Sequence, residues 1–184
     1  MKMRKDIEKI LLTPSEIKTI CIDLGKQITH DYKEKKPLLI GLLKGCVPFL
    51  SELSQHIDLY LEIEYLSVSS YHGNIKTSGD IKIRKDSDTS FKGRDVLIVE
   101  DIIDTGYTLK TVHKLFLNRG AKSVKVVTLL DKPDGRKTSF KADYVGKVIP
   151  NEFVVGFGLD YKELYRNLPF VGVLKKSVYT KGEQ

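Results

Sequence analysis

A strand, a loop, a helix and a second strand follow one another in the middle of this 184-residue sequence. Residues 95–100 and 124–130 are short apolar runs, and residues 108–118 between them carry apolar side chains at helical spacing. This is the pattern of a βαβ unit, in which a right-handed crossover makes the two strands parallel in one sheet. The sequence therefore predicts an α/β fold: a mainly parallel sheet flanked by helices, with ligand sites at the carboxyl ends of its strands.

The residues before this unit continue the alternation of helices and strands. Thr13, Pro14 and Glu16 offer an N-cap hydroxyl, a proline at the first helical position and a glutamate able to close a capping box. A helix should begin there, and its apolar side chains recur at the spacing of a stripe that packs on a sheet. The other elements predicted in this part are a strand over 38–43, a helix over 47–57 and a strand over 59–68.

Residues 69–93 and the last third of the chain are more irregular. The first segment is rich in Gly, Ser, Asp and Lys around a strand-like Ile81-Lys82-Ile83, which predicts a long hairpin or a mobile excursion. Loops of this length are often functional. Short strands are expected over 144–149, 153–157 and 170–174. We expect one domain over residues 1–184, with a small cap, or hood, formed by the N-terminal residues and about 133–170.

Composition narrows the classes of protein that this chain can be. The net charge of +7 suits an anionic partner, either nucleic acid or a small phosphorylated ligand, but the basic residues are scattered along the chain. Cys21 and Cys46 lack metal-type spacing, so a disulfide framework and a structural zinc site are not expected. The apolar run at residues 10–12 is too short for a signal peptide, and no segment could span a bilayer. We therefore expect a cytoplasmic protein without a membrane partner.

Three acids and a small-residue turn follow the strand at 95–100. Glu100 and Asp101 end the strand, where carboxylates can accept hydrogen bonds from vicinal hydroxyls or face hydrated Mg²⁺. Asp104 comes next, and residues 105–108 open the following helix, where backbone donors and the helix dipole favour a phosphate. Gly106 allows the close approach that such a site needs. For an isolated motif of this kind, acids that only cap a strand–helix turn are an equal alternative.

The whole segment 96–109 resembles the phosphoribosyl pyrophosphate fingerprint of the type I phosphoribosyltransferases: an apolar strand, two acids, two apolar positions, a variable residue and Thr-Gly. The resemblance implies the fold of that family, with Glu100 and Asp101 on the ribose hydroxyls and a loop on the 5′-phosphate. The residues of that phosphate loop are Asp104, Thr105, Gly106, Tyr107 and Thr108. An aspartate at position 104 is similar to the hypoxanthine-guanine branch rather than the adenine, orotate or uracil branches, and it implies a catalytic general base.

Other segments resemble the same family, in order along the chain. Lys44 and Gly45 resemble its pyrophosphate loop, and Arg166 would contact the same pyrophosphate. Ser70 and Tyr71 resemble the conserved pair of its catalytic lid, which implies that about residues 69–93 form a mobile lid loop. The departure from the pattern is in the phosphate loop, because position 107 holds a tyrosine where several relatives carry a basic residue or asparagine.

The resemblance also implies a purine site and a metal site. Lys132 would select the purine, Phe153 would stack on it, and Val154 would contact its edge through the backbone. Asp160 would belong to this purine site and also reach Mg²⁺. The implied metal site consists of Glu100, Asp101 and Asp160, with Mg²⁺ as the cofactor.

The function expected from these residues is purine salvage: hypoxanthine or guanine and phosphoribosyl pyrophosphate are converted to IMP or GMP and pyrophosphate. A homo-oligomer, dimer or tetramer, is expected, and no nucleic acid partner. The alternatives are a xanthine-preferring enzyme and an RNA-binding regulator on the same fold, for which the resemblance implies a residue other than an acid at position 104. His72, His113 and Cys46 are not expected to be catalytic, since no acid–base partner stands near them in the sequence.

Overall fold

The computed structural model describes residues 2–70, 81–87 and 89–180. Its strands are β1 (Ile7–Leu12), β2 (Leu38–Leu42), β3 (Glu62–Ser70), β4 (Ile81–Lys85), β5 (Asp95–Ile103), β6 (Ser123–Asp131), β7 (Tyr144–Val148), β8 (Val154–Val155) and β9 (Val171–Leu174). Its helices are α1 (Pro14–Asp31), α2 (Cys46–Ser54), α3 (Tyr107–Asn118) and α4 (Lys176–Tyr179), with 3-10 turns over Lys2–Asp6 and Pro133–Gly135.

The larger sheet confirms the predicted α/β fold. Its six strands run in the order β4-β3-β2-β5-β6-β7, and every neighbouring pair is parallel except β3 and β4. All five residues of β2 are buried, as expected for a central strand with helices on both faces. Because the strands are parallel, Leu42, Ile103 and Asp131 end at the same edge of the sheet.

Helices cover both faces of this sheet. Leu97 and Val99 of β5 point into the core beneath α1 and α2, while Val96 and Ile98 point into the core beneath α3, as the two-residue period of a strand requires. Helix α1 begins with the predicted capping box: Glu16 N donates to Thr13 Oγ1 at 3.3 Å, and Thr13 N donates to Glu16 Oε2 at 2.8 Å. Helices α1 and α2 thus pack on one face of the sheet and α3 packs on the other.

A second, three-stranded antiparallel sheet has the order β1-β9-β8 and forms a cap beside the first. It joins the two ends of the described chain, since Ile7 pairs with Leu174. Strands β8 and β9 contribute Val154, Val171 and Val173 to the core shared with α1 and α2, so the cap packs against the main sheet.

Strand β1 was not predicted from the sequence, and two other strands differ from the sequence-based prediction. The strand expected at 144–149 was assigned to the cap, but β7 is the parallel edge strand of the main sheet, with Val127 opposite Tyr144. It lies there because residues 132–143 return the chain beside β6, and the Tyr144 hydroxyl donates to Asp31 Oδ2 of α1 at 2.7 Å. Strand β5 also extends beyond residue 100, since Glu100 and Ile102 remain paired with β6.

The expected hairpin at 69–93 is present as far as the structure describes it. Ser70 ends β3 and pairs with Ile81 at the start of β4. Tyr71 and His72 lie outside the described residues, as does the rest of 71–80. In the described part of the chain, no helix has both the length and the apolar character needed to cross a bilayer.

Candidate active site

Two acids stand at the carboxyl end of β5. Asp101 is buried, with its Oδ1 accepting a hydrogen bond from Ile102 N at 2.8 Å. Glu100 is half-buried, and its Oε2 has no hydrogen-bond partner among residues 2–70, 81–87 and 89–180. Burial, followed by the charge of Asp101, raises the pKa of Glu100 well above its usual range. Burial likewise raises the pKa of Asp101, although the charge of Arg166 opposes this. This pair is therefore suited to receive a cation or hydroxyl donors.

The loop between β2 and α2 packs directly on these acids. The Leu43–Lys44 peptide is cis, and Gly45 precedes the first residue of α2. A Cβ added to Gly45 would clash with the Asp101 carboxylate, and one added to Gly158 would clash with Gly45 O. Only glycine fits at both positions, so the predicted pyrophosphate loop, the acids and the segment around residue 158 meet in one place.

Arg166, which the resemblance assigns to the pyrophosphate, lies at this meeting point. Its guanidinium donates to Gly158 O at 2.7 Å and forms ion pairs with Asp160 Oδ1 at 2.9 Å and Glu163 Oε1 at 3.2 Å. Lys44 Nζ lies 2.7 Å from Glu163 Oε2. One exposed acid thus holds both cations that were expected to bind pyrophosphate. Sequence analysis missed Glu163, and the only local signal for it is its position three residues before Arg166.

The predicted phosphate loop forms a small concave surface at the start of α3. Gly106 is the N-cap residue with φ of 82°, a left-handed conformation that side chains disfavour. A cavity of about 150 Å³ lies here, lined by Glu100, Ile102, Ile103, Asp104, Thr105, Gly106, Thr108 and Leu109. Tyr107 is the first residue of α3 and is partly buried. The free backbone N–H groups of this helix end are the donors that an anion would meet.

Asp104 and Lys132 lie side by side at the ends of the neighbouring strands β5 and β6. Lys132 Nζ is 3.2 Å from Asp104 Oδ2, and the side chain of Lys132 is only 10% exposed while that of Asp104 is 50% exposed. A Cβ added to Gly135 would clash with Asp104 Oδ1, so the turn after Lys132 needs a glycine against this carboxylate. The arrangement places a buried cation next to an accessible carboxylate.

Arg136 joins this pair to the phosphate loop, and the sequence analysis did not identify it. Its Nε donates to Asp104 O at 2.9 Å, and its two terminal nitrogens bond to Phe140 O and the Asp131 carboxylate. The next residue in the chain, Lys137, donates its backbone N–H to Thr105 O at 3.0 Å. Residues 133–140 therefore support the phosphate loop through hydrogen bonds to its backbone carbonyl groups. No sequence motif marks Arg136, because its role depends on contacts across 32 residues.

Phe153 and Val154 lie at the edge of the cap. Phe153 is 40% exposed, and its backbone carbonyl oxygen accepts a hydrogen bond from Leu174 N at 2.9 Å. Val154 has a buried side chain, and its backbone pairs with Val173. The expected contacts of these two residues with a purine stay predictions, as does the role of Ser70 and Tyr71.

His113 and Cys46 take structural positions. His113 Nε2 lies 3.1 Å from Val124 O, and its ring contacts Phe140 edge-on. Cys46 is fully buried, and burial raises the pKa of its thiol. Neither group is poised as an acid, a base or a nucleophile.

The acids also limit which metal could bind. Within the described residues, no group of three or more His, Cys, Asp or Glu side chains could hold a metal ion by itself. Mg²⁺ does not need such a group, because it is commonly held by one or two carboxylates together with water and substrate phosphate oxygens. The unpartnered Oε2 of Glu100 beside buried Asp101 fits that kind of site.

A larger groove of about 880 Å³ lies elsewhere, lined by residues that include Lys36, Ile57 and Tyr60. Lys36 and Tyr60 precede β2 and β3, so this groove is at the amino ends of the strands. In parallel sheets ligands bind at the carboxyl ends, where the acids, the phosphate loop and Lys132 are found. The candidate active site is therefore the region around the smaller cavity at the phosphate loop, not the larger groove.

Comparisons with known proteins agree with this geometry. The family model described as phosphoribosyl transferase domain matches residues 9–162. The hypoxanthine-guanine phosphoribosyltransferase of Lactococcus lactis subsp. lactis is 59% identical over 177 residues, covering 96% of each chain. A crystal structure of a hypoxanthine phosphoribosyltransferase from Staphylococcus aureus superimposes with a TM-score of 0.94 at 50% identity, covering 97% of each chain.

A more distant solved structure carries a ligand. A mutant of the hypoxanthine phosphoribosyltransferase from Trypanosoma cruzi, complexed with the product IMP, has a TM-score of 0.92 at 38% identity and covers 98% of this chain and 97% of its own. Both the sequence likeness and the fold likeness extend over nearly the whole chain. The protein therefore belongs to the phosphoribosyltransferase family, within which these relatives are hypoxanthine-guanine and hypoxanthine phosphoribosyltransferases.

Proposed function

We propose that this protein transfers the phosphoribosyl group of phosphoribosyl pyrophosphate to N9 of hypoxanthine or guanine, forming IMP or GMP and releasing pyrophosphate. The observation that carries this proposal is the pair formed by Asp104 and Lys132, whose charged groups lie 3.2 Å apart at the ends of β5 and β6. A 6-oxopurine presents an acceptor, O6, next to a protonated N7. A cation and a carboxylate side by side match these two groups.

The sugar phosphate would be held by parts of the chain that are already in place. The N–H groups at the start of α3, with Thr105 and Thr108, would donate to the 5′-phosphate in the cavity described above. The carboxylates of Glu100 and Asp101 would accept hydrogen bonds from the ribose 2′- and 3′-hydroxyls. Such bonds would satisfy Glu100 Oε2, which has none within the described chain.

The leaving pyrophosphate would lie against Lys44, the Gly45 amide and Arg166. Both cations, Lys44 and Arg166, pair with Glu163. When substrate binds, they would leave Glu163 and pair with the pyrophosphate oxygens instead. Mg²⁺ would be held by one or two of the carboxylates of Glu100, Asp101 and Asp160 together with water and substrate oxygens, and it would neutralise charge on the pyrophosphate. The amides and cations of the protein would supply the rest of that neutralisation.

The chemical step would break the bond between the anomeric carbon and pyrophosphate and leave an oxocarbenium-like ribosyl centre. Phe153 and Lys132 would hold the purine so that N9 faces that carbon, which removes most of the orientational cost. As N9 attacks, N7 becomes more acidic, and Asp104 would accept its proton as a general base.

Two other functions receive less support. A regulator that binds RNA on this fold has no use for a carboxylate paired with a buried lysine, whereas the purine reaction uses both. A xanthine-preferring enzyme shares these two residues, because xanthine also carries O6 and a protonated ring nitrogen. The names of the Lactococcus lactis and Staphylococcus aureus relatives favour hypoxanthine and guanine.

One assay tests the proposal. Purified protein is incubated with Mg²⁺ and phosphoribosyl pyrophosphate, and nucleotide formation is followed in parallel with hypoxanthine, guanine, xanthine, adenine and uracil. We expect turnover with hypoxanthine and guanine, and none above background with adenine and uracil. Preferred turnover of xanthine would replace the proposed base, and absence of turnover with all five would overturn the activity.

A further inference from the structure

Three aromatic rings meet at the exposed edge of the cap, and one of them is Phe153, which the proposed function assigns to the base site. The ring of Tyr179 is stacked on that of Phe153, with centroids 5.0 Å apart and planes 25° from parallel. Tyr161 contacts Phe153 edge-on, with centroids 5.7 Å apart and planes at 87°. Aromatic pairs at these distances and angles attract one another beyond the area that they bury. Phe153 is thus held on one face and on one edge.

The structure also holds Tyr179 firmly. It belongs to α4, whose start is tied to the 3-10 turn at the N-terminus: Lys175 N donates to Asp6 O at 2.9 Å, and Lys175 Nζ donates to Lys5 O at 2.6 Å. Tyr179 and Tyr161 are partly buried against the outer apolar cluster of the cap. A ring anchored in this way can act as a support for another ring.

Phe153 keeps one face for a ligand. Phe153 is 40% exposed, and the centroids of Tyr179 and Tyr161 lie only 6.4 Å apart, so neither of these two rings covers the face opposite Tyr179. A phenylalanine near the surface with no neighbour on its rear face would sample several rotamers, and binding a base would then have to select one of them. A stacked partner on the rear face holds Phe153 in one rotamer before the base binds, so binding no longer carries this entropic cost.

We propose that Tyr179 is a positioning residue for the purine: it stacks on the rear face of Phe153 and holds that ring in the orientation that receives the base. The proposal rests on the proposed function in one respect, namely that Phe153 stacks on the purine. It adds that the C-terminal helix α4, which touches none of the phosphate or pyrophosphate groups described above, sets the affinity for the base.

Steady-state kinetics of Tyr179→Ala test the proposal. We expect the KM for hypoxanthine to rise about 3- to 10-fold, the range of one lost aromatic pair, while the KM for phosphoribosyl pyrophosphate stays unchanged. Tyr179→Phe, which keeps the ring, should restore the wild-type KM. Lys176→Ala is the matched control on the same helix, because the Lys176 side chain is exposed and should move neither constant. Equal rises in both KM values would indicate general damage to the fold and overturn the proposal.

A double-mutant cycle decides whether Tyr179 acts through Phe153. The KM for hypoxanthine is measured for Phe153→Ala, Tyr179→Ala and the double variant. If the ring of Phe153 carries the effect, removing Tyr179 adds little once Phe153 is alanine. Fully additive effects would overturn the proposal. A lower KM in Tyr179→Ala would also overturn it, because Tyr179 would then occupy the place of the base.

A measurement without substrate separates this proposal from the proposed function. The sequence has no tryptophan, so Phe153→Trp introduces a single fluorophore at the stacked position. Adding Tyr179→Ala to that variant should lower the fluorescence anisotropy of the indole, since the support behind it is gone. An unchanged anisotropy refutes the support by Tyr179 whatever the enzyme turns over. A lowered anisotropy in a protein that does not convert hypoxanthine refutes the proposed function alone.

Discussion

At the scale of single residues, the pairing of Lys132 with Asp104 determines what their variants can show. Lys132 is buried, and Asp104 is its only ion-pair partner among the described residues. A buried cation without a partner costs more than the ion pair itself contributes, so Asp104 must be changed to a residue that can still accept a hydrogen bond.

Asp104→Asn meets that condition and removes only the base. We expect kcat to fall about 10²- to 10⁴-fold, the usual effect of losing a positioned general base. Binding of phosphoribosyl pyrophosphate, measured by calorimetry, should change little, because the proposed donors to the 5′-phosphate are backbone N–H groups at the start of α3, which the substitution keeps. Turnover close to that of the wild type would remove Asp104 from the mechanism.

Lys132 is expected to decide which base is accepted. Adenine carries an amino donor at the position of O6, so two donors would face each other, and we expect kcat/KM for adenine to be lower than for hypoxanthine by about 10³-fold or more. Lys132→Ala should lose activity on hypoxanthine and guanine without gaining activity on adenine, since removing a repulsion creates no matching contact. Comparable wild-type values for hypoxanthine and adenine would contradict the role of Lys132.

Replacing Glu100, one of the two acids at the end of β5, should make the folded protein more stable although it weakens substrate binding. The pKa of Glu100 is raised in the folded state from a reference of 4.5, so its protonated form favours folding. The stabilisation is present below the unfolded pKa and is lost as the pH rises through the raised folded pKa. Glu100→Gln abolishes this loss and should raise the Tm at pH 8 by about 2–4 °C, equivalent to about 1 kcal/mol.

The difference between Glu100→Gln and wild type should shrink toward pH 5, and the variant should bind phosphoribosyl pyrophosphate poorly. Scanning calorimetry of both proteins without metal or substrate, at pH 5 and pH 8, measures this. A lower Tm for the variant at pH 8 would show that Glu100 stabilises the substrate-free fold, contrary to its burial without a hydrogen-bond partner for Oε2 within the described chain.

At the scale of elements, the loop that follows β6 connects the base site with the phosphate loop. Arg136 bonds to the backbone of Asp104, to Phe140 O and to the Asp131 carboxylate, and its side chain is 12% exposed. A change at this one side chain should therefore affect the binding of both substrates together, whereas changes at Lys132 or Tyr179 affect the base alone.

Arg136→Ala tests that connection. Hydrogen bonds to charged groups contribute about 1.5–3 kcal/mol, so we expect kcat/KM to fall at least about 10-fold for both hypoxanthine and phosphoribosyl pyrophosphate. Lys137→Ala is the control, because Lys137 bonds to Thr105 O through its backbone N–H, which the substitution keeps. If only one of the two KM values rises in Arg136→Ala, the loop does not couple the two sites.

The elements that the sequence predicted best are those with local signals. Helix α1 begins at its capping box, and β2 and β5 stand out as apolar runs between polar turns. Strand β7 was assigned to the wrong sheet because the residues of β7 do not indicate its partner. The path of the loop between β6 and β7 places the two strands side by side. Strand β1 was not expected as a strand, since its sequence does not alternate and only its two end residues, Ile7 and Leu12, are buried.

The residues of the candidate site likewise fall into those with a local sequence signal and those without one. The acids, the phosphate loop and Lys132 lie next to strand ends, where a short motif is enough to find them. Glu163 pairs with Lys44, 119 residues away, and Arg136 bonds to Asp104, 32 residues away. Apart from the three-residue spacing of Glu163 and Arg166, no local pattern carries that information.

At the scale of the whole molecule, the net charge of +7 should draw phosphoribosyl pyrophosphate, a strongly anionic substrate, toward the protein. Salt screens such attraction, so we expect the KM for this substrate to rise about 3-fold or more between about 0.05 M and about 0.5 M KCl. Hypoxanthine is neutral and serves as the internal control, with a KM that should stay nearly constant. An equal effect of salt on both constants would indicate a change in the protein instead of charge attraction.

The order of strands in the cap makes the base site depend on a strand that is synthesised late. Strand β9 lies between β1 and β8, yet it follows every other described strand along the chain. Chains begin to fold from their N-terminal part while they are being made, so the main sheet can form with its phosphate loop before the cap can close. The backbone of Phe153 receives its hydrogen bond from Leu174 only then. A chain released before residue 171 would therefore keep the groups for the sugar phosphate and lack a formed wall for the purine.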